Sequence, residues 1–180
     1  EVDTPDLAQV MLNTLSTLIS RFGSNLNEKL VNRSINLAID LLNSEANEIL
    51  VSAFSVINNC IQVLGIKSIS YYTKLVPAAI KLFNKTKMSD DSRNQQLQVA
   101  ILLLVATLLK VIPSFITSNL SDVFDVILFS DEVDITTRLS VVELVVKHID
   151  LTDVLKMLYK TWSNICVVHN SIAISLFLSC

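Results

Sequence analysis

The chain has 180 residues, 51% hydrophobic and 17% charged, with two glycines, three prolines and a net charge of −3. That much apolar side chain excludes a disordered tail, and so few turn-forming residues exclude sandwiches, barrels and Rossmann sheets. The mildly acidic balance excludes a polycation that coats nucleic acid, so a helical chain with one sizeable core is expected.

In chain order, hydrophobic periodicity predicts helices near 5–22, 26–43, 45–64, 70–87, 92–111, 114–130, 132–148, 151–163 and 166–180. Thr4-Pro5-Asp6 starts the first, with Thr4 as N-cap and Pro in the first turn. Gly23 and Gly65 fit helix C-caps, where a left-handed residue favours glycine. Ser44, with Asn47-Glu48, offers partners to the free amides of the third helix, and Asp90-Asp91 does so for the fifth. Pro113 ends one helix and begins the next. In the helix at 92–111, Val99, Leu102, Leu103, Ala106 and Leu109 follow the spacing of a buried face, and Leu103→Asp is expected to destabilise severely. The polar connector from Asn84 to Gln96 reads as a surface loop.

A repeat runs through these helices. Lys29-Leu30-Val31-Asn32-Arg33-Ser34-Ile35-Asn36-Leu37 aligns with Lys74-Leu75-Val76-Pro77-Ala78-Ala79-Ile80-Lys81-Leu82, sharing Lys, Leu, Val, Ile and Leu at an offset of 45. A further 45 residues on, Leu120, Val123, Phe124, Ile127 and Leu128 take the apolar positions again. Leu151, Val154, Leu155 and Leu158 make a more closely spaced copy. Helix pairs of roughly 40–47 residues are the HEAT or armadillo period, in which each pair buries its apolar face on its neighbours. The expectation is an all-α, right-handed superhelical solenoid of antiparallel pairs. It has about four repeats, near 5–43, 45–87, 92–130 and 132–163, with the start of another at 166–180. Residues 1–180 then form a single segment of something longer.

Candidate chemistry is sparse. His148 and His169 have no Cys, Asp or Glu at metal-ligand spacing, and neither lies near a nucleophile motif. Cys60, Cys166 and Cys180 lack CxxC spacing and read as buried thiols of a reducing compartment. Two glycines cannot build a phosphate cradle. No enzyme, cofactor, metal or small-molecule substrate is expected. The tripeptides at Asn32, Asn84 and Asn119 match the glycosylation pattern by chance. A membrane span is not expected either, because the apolar run from Leu97 to Leu109 falls short of the roughly 18 residues a span requires. Tyr71, Tyr72 and Trp162 are expected in the core rather than as stacking platforms.

Charge is distributed unevenly. Lys67, Lys74, Lys81, Lys85 and Lys87 fall in a stretch with no acidic residue, and Lys74, Lys81 and Lys85 lie within about 40° on a helical wheel. Such a stripe suits an RNA phosphate backbone or an acidic protein segment. It equally suits an ordinary solvated helix face. From Asp122 to Asp153, eight acids accompany Arg138 and Lys147, a tract suited to basic partners.

Asn59 through Lys67, followed by Tyr71-Tyr72-Thr73-Lys74-Leu75-Val76-Pro77, resembles a unit of one HEAT family. Leu108 through Ile116 and the stretch from His148 to Ser163, with its Lys160-Thr161-Trp162, are similar to the units that follow. That family is the very large HEAT-repeat subunit of the small-subunit processome, the nucleolar particle assembled on a small nucleolar RNA. The resemblance implies a non-catalytic scaffold in pre-ribosomal RNA processing, located in the nucleus and nucleolus. It implies other processome proteins as partners, with pre-ribosomal or small nucleolar RNA as a ligand for the lysine stripe, and supplies no catalytic residue. Two other HEAT-built functions compete with it: a nuclear transport receptor and a scaffold for a signalling enzyme.

Overall fold

The computed structural model describes residues 4–87, 94–130 and 133–168, with 4, 5, 24 and 161–168 as backbone only. The expectations placed on Asp90-Asp91, Asp131, Glu132, His169 and Cys180 lie outside the described residues, as do those on the side chains of Trp162 and Cys166. Among the described residues every regular element is helical. The helices are α1 (Thr4–Phe22), α2 (Glu28–Asp40), α3 (Asn47–Leu64), α4 (Ile69–Lys87), α5 (Asn94–Val111), α6 (Pro113–Ile116), α7 (Leu120–Leu128), α8 (Ile135–His148) and α9 (Leu151–Val168). Short 3₁₀ turns follow α1, α2, α3 and α6.

Packing follows from how much of each helix is apolar. In α3, Leu50, Ala53, Phe54, Ile57, Cys60 and Ile61 are fully buried, and α5 buries Leu97, Ile101, Leu102, Leu104 and Leu109. A helix apolar on most of its circumference needs cover on more than one side. Accordingly α1 packs on α3, α3 on α5, and α5 on α8, while α2 lies against α3 and α4 against α5. Farther along, α4 meets α7, and α7, α8 and α9 pack on one another.

Local chemistry sets the boundaries. Asn27 caps α2, its Oδ1 accepting from the Lys29 amide at 2.9 Å. Ser44 Oγ accepts from the Ala46 amide at 3.2 Å, tightening the turn ahead of α3. Gly65 ends α3 with φ of 56°, the positive value expected of a glycine cap. Gly23 differs: its φ is not positive, and a Cβ there would stand 2.2 Å from Val63 Cγ2. Its absent side chain therefore lets the end of α1 approach α3. Pro113 opens α6 as expected, but the helix foreseen over 114–130 is broken by a 3₁₀ turn at Thr117–Asn119. Conversely, α9 runs unbroken through 163–166, where a helix break was expected.

Polar groups join neighbouring helices. Tyr71 Oη donates to Asn32 Oδ1 of α2 at 3.0 Å, and Tyr72 Oη donates to Asn119 Oδ1 at 3.2 Å. Adjacent residues at the start of α4 thus tie it to the helices on both sides, with Tyr72 also meeting Phe115 edge to face. Gln98, which interrupts the apolar run of α5, is buried and donates to Thr86 Oγ1 of α4 at 3.3 Å. Arg138 is buried in α8, its Nε donating to the Ile127 carbonyl at 3.2 Å and its Nη2 to the Leu128 carbonyl. A cation on the last carbonyls of α7 satisfies orphan acceptors and complements the helix dipole.

Two apolar stretches, Asn47–Lys87 and Asn94–Val111, are long enough by composition to cross a bilayer. The helix carrying the Leu97–Leu109 run is 18 residues long, so length does not exclude it as expected. Its apolarity has another explanation: 67% of the window is buried inside the fold, and 50% of the other.

Leu103 corrects the sequence reading. It is 47% exposed, whereas its neighbour Leu102 is fully buried. Because α5 is apolar nearly all round, 3–4 spacing alone could not tell the two apart. Leu102→Asp is expected to cost about 4 kcal/mol or more, as a buried unpaired charge does, while Leu103→Asp should cost about 1 kcal/mol or less. Thermal melts of the two variants test this, and equal midpoints would contradict the assignment.

Candidate nucleic-acid interface

The outer face of α4 is built by its own periodicity. Leu75, Val76, Ala79, Leu82 and Phe83 are buried, which leaves Thr73, Lys74, Pro77, Lys81 and Lys85 exposed along the opposite side. Pro77 sits in mid-helix on this solvent side, where the carbonyl it leaves unbonded can meet water. Lys74, Lys81 and Lys85 have no ion-pair partner among the described residues. Three cations at helical spacing along a helix of 19 residues, beside Thr73 and Asn84, can follow phosphates spaced along a strand.

The other two lysines of the stripe are committed elsewhere. Lys67 Nζ lies 2.6 Å from Glu28 Oε2, an exposed ion pair that joins the starts of α2 and α4. Lys87 Nζ stands 4.8 Å from the Phe83 ring centroid and 4.4 Å from that of Phe129, a cation–π arrangement at the junction of α4 with the end of α7. The five predicted residues therefore divide into three that face solvent along α4 and two that bind within the chain.

Part of the acidic tract has a structural role. Asp134 caps α8, accepting from the Thr137 amide at 2.9 Å and the Thr137 hydroxyl at 2.6 Å, and it also bonds Thr136. These bonds, those to the two threonine hydroxyls foremost, hold its carboxyl down at about 2. Asp150 accepts from the Thr152 amide at 2.8 Å, which lowers its carboxyl, and Asp153 pairs with Lys156 at 3.5 Å. Asp125 is half-buried beside Lys87, and burial raises its carboxyl.

Among the described residues no His, Cys, Asp and Glu cluster has the makings of a metal site. Cys60 is buried, and burial pushes its thiol up to about 12, far from the thiolate a nucleophile needs. Two features escaped the sequence reading. Arg138 was counted as surface charge, although its helical spacing with Val141, Val142 and Val145 is a signal of burial. Tyr159 is 87% exposed between Lys156 and Lys160, the kind of aromatic a base can stack on. Nothing in its local pattern separates it from the half-buried Met157.

No protein-family model matches the chain. Whole-chain comparison is decisive. A protein of Saccharomyces cerevisiae named U3 small nucleolar RNA-associated protein 10 is 47% identical over 176 residues, 96% of the chain. The chain is a homologue of one segment of that protein. Like-named proteins of Candida glabrata and Eremothecium gossypii are 46% and 41% identical over 97% and 99% of it. The chain spans about a tenth of the length of these U3 small nucleolar RNA-associated proteins. The resemblance read from Asn59–Lys67, Tyr71–Pro77 and the later units is thereby borne out.

The cap at Asp134 carries a pH signature. A carboxyl held at about 2, below its ordinary 3.8, stabilises the fold above 3.8 and loses that contribution as pH falls through about 2. The melting gap between the native protein and Asp134→Asn is expected to be constant above pH 3.8 and to close toward pH 2. A gap that persists at pH 2 would show that the charge is not what caps α8.

Proposed function

We propose that this chain is one stretch of a HEAT-type solenoid acting as a non-catalytic scaffold in small-subunit processome assembly and pre-ribosomal RNA processing. The observation that carries the reading is similarity along nearly the whole chain to proteins named for association with U3 small nucleolar RNA. On this reading the protein works in the nucleolus, with other processome proteins and pre-ribosomal or small nucleolar RNA as partners, and away from membranes. Residues 1–180 then form a single repeat segment divided near 5–43, 45–87, 92–130 and 132–163.

The successive packing of α1, α3, α5 and α8, with α2 against α3, α4 against α5 and α7 against α8, supports the repeat reading. So does an apolar trough of about 490 Å³ along α1 and α2, lined by Met11, Leu18, Leu37 and Leu41 among others. Met11 and Leu18 are exposed there, with Leu7 exposed one turn before Met11, a second apolar stripe of the sort a neighbouring helix pair covers. A transport receptor or signalling scaffold would share the architecture, but nothing in the relatives' names favours either.

In this reading Lys74, Lys81 and Lys85 hold an RNA backbone. Full-length tagged protein carrying all three as Glu is expected to recover severalfold less pre-ribosomal RNA. Its salt dependence should be shallower by about 0.7 in log–log slope per lost phosphate contact, and its melting temperature unchanged. Equal RNA recovery would remove the lysine face from the account. Recovery of a Ran-type GTPase with diverse cargo and no ribosomal precursor would replace the function with nuclear transport.

A further inference from the structure

The lysine face of α4 has a neighbour that shares its outward side. Lys67 bonds Glu28 and Tyr71 bonds Asn32, two contacts between residues 39 apart, so α2 runs beside α4 in the same direction. That register brings Arg33 abreast of the turn that carries Lys74. Val31, Ser34, Ile35 and Ala38 form the buried side of α2, and at 100° per residue Lys29 and Arg33 fall opposite them. Both are exposed and have no ion-pair partner among the described residues. Lys29 is also the residue that the repeat spacing matches to Lys74. The acids on this side are committed or distant: Glu28 holds Lys67, and Asp40 stands at the far end of α2.

The other flank of α4 differs in sign. There it meets α7, whose half-buried Asp122 and Asp125 put negative charge beside Tyr72 and Lys87. A polyanion on the lysine face is therefore drawn toward α2 and away from α7. Lys29 and Arg33 make a second cationic row, about 10 Å from the first at ordinary helix spacing. A single strand follows one row, whereas the two backbones of a duplex meet two. An unpaired strand is gripped chiefly by stacking its bases on aromatic rings. Neither helix offers such a platform: Tyr72 is buried, and Tyr71 is half-buried with its hydroxyl on Asn32. Thr73 and Asn84 are exposed beside the cations, polar groups of the kind that reach 2′-hydroxyls on the shallow side of an A-form helix. We propose that α2 and α4 together bind the backbone of a double-helical RNA segment, with Lys29 and Arg33 on one strand and Lys74, Lys81 and Lys85 on the other.

Because this rests on the RNA reading of the lysine face, the test separates the two. A photo-reactive amino acid is placed at Arg33, and separately at Asn84, in the full-length protein, and whatever each captures in cells is identified. RNA is expected from both positions, at nucleotides that are base-paired. With purified full-length protein, the Asn84 probe should crosslink a labelled RNA duplex of about 16 base pairs. Unlabelled duplex should compete roughly tenfold better than a single strand of equal length. Lys29→Glu with Arg33→Glu should weaken that crosslinking roughly tenfold without changing the melting temperature, and Asp122→Asn should not weaken it. RNA captured at Asn84 but not at Arg33 would overturn the two-helix site and leave the lysine face standing. So would equal competition by single strand and duplex, or indifference to the Lys29 and Arg33 changes. Capture of protein, or of nothing, at both positions would overturn both.

Discussion

Burial of α3 and α5 on more than one side is the constraint on which the rest of this structure depends. Neither helix has a polar face wide enough to stand at a surface alone, and each fully buried Leu, Ile or Phe contributes roughly 1.5–3 kcal/mol. The only way to cover both is to place helices before, between and after them, which is what α1, α8 and the companions α2 and α4 do. Orientation is then refined by a few polar joints, among them Tyr71 to Asn32, Tyr72 to Asn119 and Gln98 to Thr86. Arg138 performs the same service farther along by closing the end of α7. Because these groups are buried or half-buried, losing a partner strands a polar atom, which makes the joints specific as well as adhesive.

That packing decides what remains for binding. Covering α3 and α5 uses the apolar side of α4 and leaves its lysine side outward. It also leaves one strip on the α3–α5 seam, where amides rather than cations meet solvent. One exposed face is therefore cationic and another neutral and rich in hydrogen-bonding groups. The two chemistries lie on separate helices. The homologous U3 small nucleolar RNA-associated proteins are about ten times longer.

Much of this was legible in the sequence because helices announce themselves by period and by their ends. The helix set, the glycine end of α3, Pro113 and the repeat spacing between the α2 and α4 units all come from local pattern, and the lysine face follows from the wheel. Other features depend on tertiary neighbours that no local pattern encodes. Leu102 and Leu103 differ only in which side α8 and α3 occupy. Gly23 reads as a cap until Val63 is seen against it. Lys87 belongs to a lysine stripe in one dimension and to two phenylalanine rings in three. Asp134 read as one more charge of an acidic tract because N-caps and free carboxylates are the same letters, and only the Thr137 amide tells them apart.

Native-state hydrogen exchange on the full-length protein tests the central claim most directly. If the double-sided burial of α3 and α5 holds the segment together, their amides should exchange slowest and share one opening free energy, with α2 and α9 opening first. Amides of α3 or α5 that exchange as fast as those of α9 would show that the stack is held by something other than these two helices.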